Sequence, residues 1–367
     1  MLAFEPTHGK GVWLEDDAGR RVLDLYGGHA VAALGYSHPR LNEVLIEQIG
    51  KLQFQSNAVP MRVRDEAADA LAAFAPDGLD RVFFVNSGAE ANENALKLAL
   101  KLTGRGKVVA VEHAFHGRTA AAAAVTWGAA KSWYGFPHTP MAVEFVPRDD
   151  VAALEAAIDD DTAAFIVEPV QGLAGAYDFS PAFMQAARSA TESAGAMLIL
   201  DEVQTGMGRL GEAFGAQLYG ITPDLLTTAK ALAGGLPAGA VIMRNDIATQ
   251  LKPGELGTTF GGAPLACAAM TAVIEVIKKE NLLERVRECS QLIADTCIAG
   301  PLTSVQGRGL LLGLTCTGKA SDVRNALLDH DILTGTSADP KILRLLPPLI
   351  LEPEHVALLA AALTEVA

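Results

Sequence analysis

The sequence offers little to a metal, a membrane or a nucleic acid. Its 367 residues hold four cysteines, Cys267, Cys289, Cys297 and Cys316, with no CxxC pair and no histidine cluster at ligand spacing. That argues against a metal site or disulfide framework and fits unpaired thiols in a reducing, cytoplasmic compartment. Positive charge is in deficit: 29 Lys and Arg against 43 Asp and Glu leave a formal charge of −14. Such a surface repels nucleic acid and anionic lipid. No run of 18 apolar residues exists, so no membrane span is expected, and Met1 to Pro6 lack the basic-then-apolar pattern of a signal peptide. There is no fixed-period repeat, no Walker A loop and no G-x-G-x-x-G. What is plentiful is apolar side chain, 50% of the total, enough for one large domain or two.

Five short apolar runs dominate the middle of the chain: Arg81–Val85, Lys107–Val111, Ala163–Val167, Ala196–Leu200 and Ala238–Met243. They lack polar alternation and read as strands buried on both faces, as parallel strands are. Helical stretches at Glu90–Leu102, Val151–Asp159 and Pro181–Ala194 separate them. This alternation predicts an α/β fold with a mostly parallel central sheet and helices on both faces. Residues 11–25 read as a hairpin turning at Asp17-Ala18-Gly19, and residues 40–53 as an amphipathic helix. After Leu265 two helices, a strand (Gly309–Leu314) and a last helix near Glu354 suggest a small α+β domain, against which the hairpin is expected to pack. The expected division is residues 1–55 and 265–367 in a small domain and 56–264 in a large one.

Ligands of open parallel sheets lie beyond the carboxyl ends of the strands. After the first run comes Asn86-Ser87-Gly88-Ala89-Glu90, opening a helix whose free amides could hold an anion; an ordinary Ser cap is the plainer reading. After the second, Phe115 and Arg118 could stack a flat ring and clamp a carboxylate, or be a packed Phe and a solvated Arg. Asp201 ends the apolar Met-Leu-Ile-Leu strand, where a carboxylate needs a cationic partner or serves as a cap. Lys230 sits among small apolar residues, which lowers an amine's pKa and suits covalent catalysis with a carbonyl; alone it reads equally as a lysine snorkelling from a loop. Thr258 and Thr259 precede glycines, and Arg344 lies in an apolar strand where it should meet an anion, from a substrate or a buried Glu.

Taken in order, these blocks resemble the class III (ornithine-type) pyridoxal-phosphate aminotransferases of fold type I, and within them the acetylornithine and succinylornithine enzymes. The resemblance covers nearly the whole chain: Leu23–Val31, Gln55-Ser56-Asn57, Asn86–Asn92, Phe115–Thr119, Glu168–Gly172, Asp201–Gly206 with Arg209, Thr228–Lys230, Thr258–Gly262 and Arg344–Pro348. It implies pyridoxal 5′-phosphate bound covalently to Lys230, with Asp201 on the ring nitrogen, Phe115 and Val203 against the ring and Gln204 near its hydroxyl. Ser87, Gly88 and Ala89 would hold the phosphate, completed by Thr259 of the other subunit of a homodimer. Arg118, Thr258 and Arg344 would bind substrate. The implied reaction passes the δ-amine of an N-acylornithine to 2-oxoglutarate in arginine biosynthesis. Ornithine, 4-aminobutyrate or an acyl-lysine are alternative donors, and a non-transaminating mutase or decarboxylase the more distant one. Two positions depart from the pattern. Leu173 stands where many members carry the Glu that shields the second arginine, so Arg344 lacks its usual partner; Ala263 stands where Asn is usual.

Overall fold

The computed structural model describes residues 2–366. A seven-stranded sheet forms its centre, in the order Arg81–Val85, Gly239–Met243, Leu225–Thr228, Met197–Asp201, Thr162–Val167, Lys107–Val111, Ala142–Val146. All six residues of Thr162–Val167 are buried, as are all of Leu225–Thr228 and Gly239–Met243. Continuous burial is what removes polar alternation from these strands.

One of the five expected parallel strands is not parallel. Gly239–Met243 runs antiparallel to both neighbours, Leu225–Thr228 and Arg81–Val85. A strand buried on both faces carries the same apolar signature in either direction, so composition does not give its polarity. Two strands of this sheet escaped the sequence reading: Ala142–Val146, an exposed edge with a polar face, and the short Leu225–Thr228, half of it threonine.

The antiparallel strand has a useful consequence. Because Arg81–Val85 lies two reversals from Leu225–Thr228, the six remaining strands all end on one edge. That edge receives Asn86–Ala89, Phe115–Arg118, Glu168, Asp201–Gln204 and Lys230. The reversed strand begins there, bringing Pro237 and Ala238 to it.

The N-terminal hairpin, Trp13–Glu15 with Arg21–Asp24, carries an additional strand, His8–Lys10, and pairs in parallel with Ile332–Leu333 from the C-terminal part. A second four-stranded sheet joins Leu302–Arg308, Leu311–Cys316, Ile342–Leu345 and Gly335–Thr336. Helices Pro264–Lys279, Leu282–Thr296 and Pro353–Glu365 lie where the apolar periodicity places them; helices Arg62–Ala72 and Ala320–Asp329 were not anticipated. All four cysteines are free and buried. Among the described residues no helix is long and apolar enough to cross a membrane, and no His, Cys, Asp and Glu cluster could hold a metal.

Candidate active site

At the shared strand edge lies a cavity of about 750 Å³. Its lining includes Ser87, Gly88, Ala89, Phe115, Arg118, Asp201, Val203, Gln204, Lys230 and Arg344. Ten of the twelve positions singled out in the sequence therefore converge. Thr258 and Thr259 do not line it. The Thr258 hydroxyl instead accepts from the Gly261 amide at 3.0 Å and from Asn86 Nδ2 at 3.4 Å, and Asn86 does line the cavity. Thr259 is exposed.

Lys230 opens a short 3-10 turn directly after the strand Leu225–Thr228, with φ of +40°. A lysine in the left-handed region is strained, and such strain persists only where surrounding structure fixes it. Its side chain touches the cavity yet is otherwise enclosed by protein. Burial pushes the amine down to about 8, against the upward pull of Asp201 and Glu168; Arg344 and Arg209 add to the lowering.

Asp201 ends its strand in a buried hydrogen-bond network. Its Oδ2 accepts from Asn92 Nδ2 at 2.7 Å and lies 2.8 Å from His116 Nδ1, and its Oδ1 accepts from the Val203 amide at 3.0 Å. Asn92 is itself fixed, donating to the His116 carbonyl and accepting from Thr227 Oγ1, both at 2.7 Å. Sequence reasoning quoted Asn92 and His116 inside motifs but gave them no role. The available signal was the buried face of the helix Gly88–Thr103, where Asn92 is a polar residue amid alanine and leucine.

Ser87 caps that helix, accepting from the Glu90 amide at 3.2 Å, while Glu90 Oε2 accepts from the Asn86 amide at 2.8 Å. The cap and the anion readings thus fall on the same residue. Gly88 has no room for a side chain: a Cβ would stand 2.6 Å from Val203 Cγ1. At Gly172 a Cβ would stand 1.7 Å from Gln204 Oε1. These glycines let backbone and side chains close in on the cavity wall.

Glu168 accepts from the amides of Phe115 at 3.0 Å and Gly172 at 3.2 Å. Burial raises its pKa, opposed by the charge on His116 and assisted by Asp201. The two guanidinium groups differ. Arg118 is exposed at the rim, its Cζ 4.7 Å from the Trp133 ring centre and 5.7 Å from that of Phe115. Arg344 is 2% exposed. It donates to the Thr336 carbonyl at 2.8 Å, the Gly172 carbonyl at 3.1 Å and the Tyr26 hydroxyl at 2.9 Å. Neither a buried Glu nor any other carboxylate among the described residues pairs with it. A site of this kind can bind a flat ring, an anion at a helix N-terminus and two carboxylates, with an amine of lowered pKa between them.

An aminotransferase class-III family model matches residues 1–366. The acetylornithine aminotransferase of Methanopyrus kandleri is 42% identical over 371 residues, spanning 100% of this chain and 93% of that one. The LysW-aminoadipate semialdehyde transaminase of Deinococcus radiodurans is 38% identical across 98% of this chain and 85% of its own. Among solved structures, the ornithine aminotransferase of Toxoplasma gondii ME49 superposes with a TM-score of 0.93 at 31% identity, covering 100% of this chain and 90% of that one. The acetylornithine aminotransferase of Elizabethkingia anophelis gives 0.88 at 31% identity, covering 100% and 95%.

Proposed function

Since the chain belongs to the class-III aminotransferases, whose cofactor is pyridoxal 5′-phosphate, we propose that it moves the δ-amine of N2-acetylornithine to 2-oxoglutarate, releasing N-acetylglutamate 5-semialdehyde and glutamate. The observation that carries this reading is the convergence of Lys230, Asp201, Arg118 and Arg344 on one cavity. The relatives named acetylornithine aminotransferase support the donor.

The cavity fits the cofactor. The buried Asp201 carboxylate, braced by Asn92, His116 and the Val203 amide, presents a fixed negative charge that suits a protonated pyridine nitrogen. Gly88 and Gly172 let Val203 and Gln204, which would flank the ring and face its hydroxyl, close against the backbone where a Cβ would collide with them. Lys230 would hold the cofactor through Nζ, Phe115 and Val203 would flank its ring, and Gln204 would face its hydroxyl. The amides and hydroxyl of Ser87, Gly88 and Ala89 would take its phosphate, with Thr259 from the second subunit of a homodimer. Bound there, the cofactor supplies the electron sink that transamination needs.

The chain's own residues do the rest. Arg118 orients the donor by its α-carboxylate so that the δ-carbon faces Lys230; Thr258, which lies outside the cavity, acts only through Asn86. Lys230 takes the proton from that carbon and returns one, a task its depressed pKa suits. In the second half-reaction Arg118 and Arg344 hold the two carboxylates of 2-oxoglutarate, and the same atoms act in reverse. The reading includes a cytoplasmic location, a place in arginine biosynthesis, and the division into residues 1–55 with 265–367 against 56–264.

Arg344's lack of a carboxylate partner favours a second donor, N2-succinylornithine, whose acyl group brings its own carboxylate. A donor panel of acetyl-, succinyl- and free ornithine, 4-aminobutyrate and an acyl-lysine, with glutamate formation measured, tests both. The acylornithines should lead by at least about tenfold in kcat/KM. If succinylornithine leads acetylornithine, Arg344→Ala should remove the difference. Equal rates for all donors sink the assignment. Conversion of the cofactor's absorbance by amino donor alone separates transamination from a mutase.

A further inference from the structure

Tyr26 is a residue that the reaction leaves unused and the structure holds from several sides. It is followed by Gly27, Gly28, His29 and Ala30, with φ of +54°, +56°, +65° and +67°. Four consecutive residues thus form a turn of left-handed helix, a conformation that residues other than glycine rarely adopt. The turn places His29 Nδ1 2.8 Å from the Tyr26 hydroxyl, with the rings 4.8 Å apart. On the other side, the Tyr26 ring rests directly on Gly335, where a Cβ would stand 1.9 Å from Cε2. Gly335 lies opposite Arg344 in the ladder between Gly335–Thr336 and Ile342–Leu345. Three separate segments therefore seat this phenol against the guanidinium.

The bonds have a direction. Arg344 Nη2 can only donate, so Tyr26 Oη accepts, and the phenol hydrogen is left for His29 Nδ1. Three of the five guanidinium hydrogens are occupied, all by neutral oxygens, leaving one on each terminal nitrogen. Leu173, next to Gly172, adds an apolar wall to the cavity and no charge.

We propose that Tyr26 is a positioning residue that makes Arg344 a standing receptor for a ligand carboxylate: its phenol anchors the guanidinium without neutralising it, so 2-oxoglutarate and glutamate bring the counter-charge to this end of the site. The proposal deepens the transaminase reading and rests on it for the reaction, though not for the anion. An acidic neighbour would have to be displaced before a carboxylate could bind, whereas a hydroxyl leaves the cation available at all times and favours a dicarboxylate in the 2-oxoglutarate half-reaction.

The test separates anion binding from turnover. Glutarate, a non-reacting dicarboxylate, is titrated calorimetrically into cofactor-loaded wild type, Tyr26→Phe and Leu173→Glu. Tyr26→Phe should weaken glutarate about 5- to 10-fold, the worth of one hydrogen bond. Leu173→Glu, which offers Arg344 a carboxylate, should weaken it by about tenfold or more. In turnover, Tyr26→Phe should raise KM for glutamate by the same factor as the glutarate loss, with the change in KM rather than kcat. The preference for glutamate over a simple primary alkylamine should fall in proportion. Unaltered glutarate affinity in Tyr26→Phe, or an equal loss toward the alkylamine, overturns the proposal. A wild type that binds glutarate but turns over no donor overturns the transaminase reading instead.

Discussion

Lys230 shows how environment sets the chemistry of a single side chain. An ordinary lysine at pKa 10.5 holds only a few unprotonated molecules in ten thousand at pH 7, whereas one at about 8 holds about one in ten. The sign follows from burial, which disfavours the charged form. In cofactor-free protein, reaction of Lys230 with an aldehyde reagent should rise with pH around a midpoint near 8; a midpoint near 10.5 would show that the enclosure does not act on the amine. Lys230→Ala should lose the cofactor's covalent absorbance and at least about 10³-fold in kcat. The depressed pKa also costs stability. The folded chain binds the proton less tightly than the unfolded one, so this penalty is largest below pH 8 and is relieved between 8 and 10.5.

Asp201 illustrates a different kind of control, a carboxylate held in one orientation by its neighbours. Asn92, His116 and the Val203 amide bind it from three sides. Asp201→Asn keeps the shape and removes the charge, so folding should be retained while kcat falls by about 10²- to 10³-fold. A kcat within a factor of a few of wild type would argue against its pairing with the ring nitrogen. Arg344 was expected to meet an anion on the general ground that buried charges are paired. Its neutral partners depart from that rule, and open cavities that receive charged ligands are where such departures are tolerated.

At the scale of elements, the helix Gly88–Thr103 carries two demands on one end. Ser87 closes its first turn and faces the cavity. Ser87→Ala should cost about 1 kcal/mol of stability through the lost cap, seen as a lower Tm in cofactor-free protein. Gly88→Ala, by pressing on Val203 at 2.6 Å, should weaken cofactor retention. Only Ser87→Ala removes the cap, so it alone should lose this increment of Tm in cofactor-free protein while both variants weaken cofactor retention; an equal loss of Tm in Gly88→Ala would contradict that division. How far such features can be read in advance follows from their physics. Long helices such as Pro181–Ala194 declare themselves by cap and period, because Ser180 accepts from the Phe183 amide and Gly195 takes a φ of +64° beyond the end. Strand position was equally visible in apolar runs, but strand direction was not, since Gly239–Met243 needs no distinct residues to run backwards. The left-handed turn at Gly27–Ala30 was invisible for a different reason. Two glycines permit it, but His29 and Ala30 adopt it only because tertiary packing imposes it. The site was legible where its residues follow strand ends. Asn92 and His116, which act through Asp201, could be assigned only once the packing was known.

For the molecule as a whole, the remaining question is whether one chain makes one site. Thr259 does not reach the cavity of its own chain, although the homodimer reading gives it to the phosphate. Close by, Phe260 and Phe54 stand 63% and 41% exposed, their rings tilted against each other with centres 5.3 Å apart. Large aromatics exposed together mark surfaces that another molecule covers. A second groove, lined by Asn86, Leu236, Pro237, Phe260 and Ala266, continues from the cavity to this patch. In a twofold dimer with shared sites, each site draws Lys230 from one chain and Thr259 from the other. Lys230→Ala should therefore be inactive as a homodimer, and Thr259→Asp should be strongly impaired by the negative charge it sets against the phosphate. Unfolded together in equal amounts and refolded, the two variants should form mixed dimers in which one site has both residues intact. Random pairing makes half of all dimers mixed, so about a quarter of wild-type sites should return. Sedimentation would give the dimer mass and the glutamate assay the recovered activity. Activity no higher than the sum of the separate variants would mean that each chain completes its own site, and the role given to Thr259 would fall while that of Lys230 stands.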